Sequence, residues 1–111
     1  MGGNVRIKSG TVLTILGATT ITGPGAGMYK DAPQSAFQAT VQGTGAVTAT
    51  VVFDVSLDNV NWCTTPLGTI TLSGTTSNSD GFTTSAPWKY VRARITAISG
   101  TGATVNVDMG V

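Results

Sequence analysis

The sequence contains no histidine and no glutamate, and Cys63 is its one cysteine. These gaps remove most of the usual means of catalysis. Imidazole is the side chain that titrates near neutral pH, so acid–base work would fall to Asp31, Asp54, Asp58, Asp80 or Asp108. Asp58 and Asp80 lie in turn-like stretches, where aspartate accepts local backbone hydrogen bonds. Asp54 and Asp108 fall on outward strand positions. Cys63 has no imidazole to activate it, no second thiol to pair with, and no set of metal ligands around it in the sequence. The expectation is a protein that is not an enzyme and takes no cofactor and no metal. Charged residues make up only 10% of the chain and the net charge is +1, so counterion release has little to act on and no nucleic-acid partner is expected. No apolar run approaches the length of a membrane span. Met1-Gly2-Gly3-Asn4 lacks the basic start and apolar run of a secretion signal. No segment of ten residues carries a helical stripe.

What is present is threonine, glycine, valine and alanine, a composition that suits strands and turns. A chain of 111 residues is one domain and can bury a core without disulfides. The clearest strand runs from Ala46 to Leu57, where Val47, Ala49, Val51, Phe53, Val55 and Leu57 share one parity. Asp58-Asn59-Val60-Asn61 then turns the chain. Trp62 to Thr65 and Leu67 to Ser73 predict short strands, and 74–86 a polar loop with Phe82 as its apolar anchor. Ser35 to Val41 is a further strand, closed by a turn at Gly43-Thr44-Gly45.

The organising element of the chain, on this pattern, is a hairpin. Val91, Ala93, Ile95 and Ala97 form the inward row of one arm, and Ala103, Val105, Val107 and Met109 that of the other. Pairing 97 with 105, 95 with 107 and 93 with 109 keeps partners on one face and leaves Gly100-Thr101-Gly102 as the loop. It sets Arg94 opposite Asp108 and Arg92 opposite Gly110. The outer row then reads Trp88, Tyr90, Arg92, Arg94. These are residue types that anchor contacts, and the row is a candidate interface. Val51, Phe53, Val91, Ile95 and Val107 are expected in the core.

Residues 1–34 differ in character. Val5 and Ile7 alternate with Asn4, Arg6 and Lys8, and Val12, Leu13, Ile15 and Leu16 follow, but glycines and Gly23-Pro24-Gly25 interrupt them. Such a segment cannot bury itself locally. It predicts either a loose terminus with one edge strand or, as the apolar residues favour, an extended N-terminal arm that orders against a neighbouring subunit, with Val12, Leu13 and Ile15 as contact residues; a domain over 35–111 follows. Six to eight short antiparallel strands argue an all-β fold, a small jelly roll or β-sandwich.

Val55-Ser56-Leu57-Asp58-Asn59-Val60-Asn61-Trp62, Ala86-Pro87-Trp88-Lys89-Tyr90-Val91-Arg92-Ala93-Arg94 and Ser99-Gly100-Thr101-Gly102-Ala103-Thr104-Val105 together resemble small phage virion proteins. The resemblance is to the jelly-roll decoration, or cement, proteins of short-tailed bacteriophages, over roughly residues 46–110. It implies a structural protein on the outer capsid surface of the virion, made in the host cytoplasm. Such a protein bridges neighbouring major capsid subunits and pairs with copies of itself as a dimer. The same motifs resemble the discoidin-type galactose-binding jelly roll, with Asn59 where that family has glycine, and a phage tail or neck component is a third reading.

Overall fold

In this computed structural model residues 12–30 and 33–111 are described. They form an antiparallel sheet of six strands: β1 (Val12–Thr19), β2 (Gly23–Pro24), β3 (Met28–Tyr29), β4 (Ser35–Ser56), β5 (Gly68–Thr84) and β6 (Tyr90–Gly110). Strand order is β1-β6-β4-β5, and β2 and β3 also pair with β6. No helix occurs among the described residues. The all-β, antiparallel expectation therefore holds. The expected short strands do not: β4, β5 and β6 are long and run through positions that the sequence marks as turns.

The hairpin over 88–109 is the main correction. Residues 90–110 are one strand whose two halves both pair with β4. Val91 lies opposite Val55 and Ile95 opposite Val51, while Val105 lies opposite Val41 and Val107 opposite Ala39. Parity alone cannot name a partner, and β4 offers two apolar rows that match the two halves of β6. Gly43-Thr44-Gly45 and Gly100-Thr101-Gly102 are the places where β4 and β6 bend together, with Thr44 opposite Thr101. Gly45 and Gly102 take φ of +74° and +65° there, a backbone that glycine adopts without a Cβ clash. The predicted loop at 74–86 is likewise largely strand: β5 pairs with β4 from Gly68 to Thr75 and again from Ser77 to Thr84, bending at Thr76. Residues 62–65 form no strand.

The bends fold the sheet over on itself. Phe37 and Phe53 belong to opposite halves of β4, yet their ring centroids are 5.0 Å apart, and Phe82 packs on both. Between the facing halves lies one core that includes Phe37, Val41, Val47, Val51, Phe53, Leu72, Val91, Ile95, Val105 and Val107. All five expected core residues are in it. Two parity assignments fail at their ends. Register slips between Thr50/Ala97 and Val51/Ile95, a bulge that leaves Ala97 exposed, and Leu57 lies past the end of β4, also exposed.

Residues 12–30 lie along the outer edge of β6, in the same sheet. Pro24 sits there on a two-residue edge pairing, where its missing N–H does no harm. Lys30 is buried and its ammonium donates to the carbonyls of Pro33 and Ala86, which ties this strip to the β5–β6 connection. The sequence pattern at Val5 and Ile7 falls outside the described residues.

Candidate interaction surface

The outer row of the first half of β6 carries Tyr90, Arg92 and Arg94, as the alternation requires. Their partners differ from expectation. Arg92 lies opposite Asp54, and Arg94 is not paired with Asp108. Asp54 Oδ2 accepts from Arg92 Nε at 3.0 Å and from Arg94 Nε at 2.9 Å, and Asp54 Oδ1 accepts from Arg94 Nη2 at 3.1 Å. Asp108 instead accepts from the Thr14 hydroxyl on β1 at 2.9 Å. Arg92, expected to face a glycine, is therefore an ion-pair member.

Asp54 is 3% exposed although it points away from the core. Burial alone would raise its pKa. The hydrogen bonds from Arg94 and Arg92, and their charges, outweigh that and hold the carboxyl below the usual range. Arg94 in turn is held more firmly protonated by Asp54. One carboxylate serving two guanidiniums leaves local positive charge on this face.

The turn after β4 completes the site. Asp58 Oδ1 accepts from the Val60 and Asn61 amides at 2.9 and 2.8 Å, and Asp58 Oδ2 from Asn61 Nδ2 at 2.8 Å. Ser56 Oγ donates to Asp58 Oδ1 and accepts from the Asp58 and Asn59 amides. Backbone bonds from Asn61 and Val60 hold the Asp58 carboxyl far below its ordinary pKa. Its charge is thus consumed in shaping the turn, the local role that its turn-like setting implies. Asn59 closes the turn in a left-handed conformation, φ +60°. The result is a fixed position for Trp62, whose ring lies 4.5 Å from the Arg92 guanidinium carbon, a cation–π contact.

The structure brings Tyr90 and Arg92 together with residues the sequence does not single out. Tyr90 lies between Ser56 on β4 and Tyr29 on β3. The Tyr29 and Tyr90 rings meet edge to face at 5.5 Å. Tyr29, Leu57 and Val60 are exposed. The β3 side packs on the turn so closely that a β-carbon at Gly27 would collide with Asn59 and the Trp62 ring. Tyr29, Leu57, Val60, Trp62, Tyr90 and Arg92 therefore gather at one end of the sheet. Trp62 is legible in the spacing of the Ser-x-Asp-x-x-x-Trp turn, and Asp54 in the outward row of the longest strand. Nothing in the sequence places Tyr29 beside Tyr90.

The other candidates lie elsewhere. Trp88 precedes β6 and packs against the core, beside a hollow lined by Val55, Cys63, Thr64, Pro66 and Leu67. Val12 and Leu13 are exposed on β1, whereas Ile15 is 4% exposed and belongs to the core.

No family model matches the sequence, and no curated protein matches it. The structure resembles the crystal structure of SPBc2 prophage-derived protein YomS with a TM-score of 0.59. The likeness covers 97% of this chain and 100% of that one, at 15% sequence identity. At that identity it is a likeness of fold.

Proposed function

We propose that the chain is a structural, non-enzymatic phage protein of the virion that binds the outer capsid surface and staples neighbouring major capsid subunits. The observation that carries the reading is the end-to-end likeness in fold to a prophage-derived protein. The aromatic and arginine cluster supports it, because Tyr, Trp and Arg dominate the energetics of protein contacts. In this reading the two facing halves of the sheet act as the two sheets of a β-sandwich of the jelly-roll kind. Attachment then comes from apolar and aromatic anchors and not from bulk charge, in keeping with a net charge of +1.

The test is sedimentation of the purified protein with undecorated capsids. Co-pelleting that saturates with capsid concentration is the expected result, and a Tyr29→Ala/Arg92→Ala double variant that stays folded pellets less. A protein that remains in the supernatant overturns capsid binding. Co-purification with tails in place of capsids moves the protein to another part of the virion.

A further inference from the structure

Among the described residues the sheet has two outer edges, and they are built differently. On the β6 side, β1 carries register shifts between Thr14 and Leu16 and between Leu16 and Thr19. Ala18 takes a left-handed φ of 42°, and its amide is bonded to the Asn106 side chain. Pro24 follows on β2. Bulges and proline are the devices that stop a sheet from adding another strand.

On the other side, among the described residues, β5 pairs with β4 and with no other strand. Its second half is guarded as well. Asp80 lies opposite buried Ala39, so its side chain stands on the core-facing row of the edge, and an inward-pointing charge blocks strand addition. The first half has no such guard. From Gly68 to Gly74 it is Gly-Thr-Ile-Thr-Leu-Ser-Gly, with no charge, no proline and an unbroken register against 53 to 47. Ile70 and Leu72 face the core, and Thr69, Thr71 and Ser73 are exposed. The backbone bonds outside the ladders start from Gly25, Lys30, Cys63 and Leu67, so none among the described residues covers this edge.

We infer that Gly68–Gly74 is a strand-pairing site for the same segment of a second copy of this chain, joined antiparallel about a two-fold axis at Thr71. The occupant follows from the sequence of the edge. With Thr71 opposite Thr71 of the second copy, Ile70 meets Leu72 on the core side, Thr69 meets Ser73 on the outer side, and Gly68 meets Gly74. Every pair is of like chemistry and keeps side-chain parity, as an isologous interface demands. An edge without charge has nothing to select a charged partner. Because Ile70 and Leu72 are already buried within one chain, the pairing gains mainly backbone hydrogen bonds and little apolar area. It therefore belongs to the small, weak class of interface and forms where copies are concentrated. The inference stands apart from capsid binding.

The experiment is sedimentation equilibrium of the full chain from about 1 µM to about 1 mM, the range of a weak contact. The wild type is expected to pass from monomer to dimer. Thr71→Lys places like charges across the axis and should weaken the dimer by roughly tenfold or more, as should Thr71→Asp. Mixing the two variants should restore a dimer of one copy each. Asp80→Asn, which removes the guard of the other half, should not weaken the dimer. A wild type that stays monomeric throughout overturns the inference, as does a Thr71→Lys protein that dimerises normally. A Val5→Asp/Ile7→Asp variant that loses the dimer, while Thr71→Lys alone and the mixture behave alike, assigns the contact to the N-terminal segment and also overturns it.

Discussion

Phe37 and Phe53 stand on one strand, and their ring centroids are 5.0 Å apart. A straight strand would separate them by about 50 Å, so the contact exists only because β4 doubles back at Gly43-Thr44-Gly45. Phe53 is fully buried in that contact. Phe53→Ala should cost roughly 3–5 kcal/mol of stability in urea unfolding, a large part of what a small domain has. A loss under about 1 kcal/mol would mean that the halves of the sheet do not face each other.

Gly68 sits beneath a ring. A β-carbon there would lie 2.7 Å from Phe82 Cζ, too close without a shift of the ring that packs on Phe37 and Phe53. Gly68→Ala should therefore cost about 1–3 kcal/mol. In a Phe82→Ala background the same change should cost clearly less, and equal losses in the two backgrounds would remove the ring as the cause.

Asp54 contributes to the acid limb of the stability profile, as Asp58 does. Its folded pKa is lowered by Arg94 and Arg92 against the opposing effect of burial, whereas an unfolded aspartate titrates near 3.9. The stabilisation is thus fully present above about pH 4 and lost as the pH falls through the folded value. Asp54→Asn should cost about 1–3 kcal/mol at pH 7, because it weakens charged hydrogen bonds in a partly exposed network. The gap from wild type should narrow below about pH 4. A gap that stays constant down to the acid transition would show that Asp54 does not titrate with folding. Arg92→Ala belongs to the same network and should lower stability too, contrary to what an arginine opposite Gly110 would do.

Lys30 acts on the basic side and in the same sense, because its folded pKa is lowered too. Burial, and then the charge of Lys89, lowers its pKa. Between its lowered folded value and about pH 10.4, the unfolded value, the unfolded chain binds more protons than the folded one, so stability rises with pH across that window and is level below it. Lys30→Met should remove this slope. It should also open residues 12–30 to hydrogen exchange before the core, because the bonds to Pro33 and Ala86 are lost. Uniform exchange across the sheet would show that Lys30 does not anchor the strip.

The core is legible in the sequence because burial writes itself as alternation: Val47 to Val55, and Ala103, Val105 and Val107, need only parity. The strand partners are not. Residues 91–97 and 103–109 match each other in parity as well as they match β4, and a local hairpin is the shorter connection. Gly-Thr-Gly marks the right positions twice, but a glycine pair permits a bend within a strand as readily as a reversal between two. The polar stretch 74–84 reads as a loop because an edge strand needs little apolar surface. At the site, the row of β6 is enough to find Arg92 and Arg94. Their shared acid stays hidden because pairing Arg94 with Asp108 follows from the hairpin register.

The order of synthesis runs against the order of the sheet. β6 is the last of the six strands to be made, yet it lies between β1 and β4 and carries the pairings of β2 and β3 as well. Until it arrives, β1 has no neighbour among the described strands, and both apolar rows of β4 lack half their cover. The pairings of β6 with β1 and with β4 join segments distant along the chain, the arrangement that makes folding slow. The nascent chain therefore holds most of its core residues exposed in waiting, and a partner present during synthesis would meet β4 before β6 does.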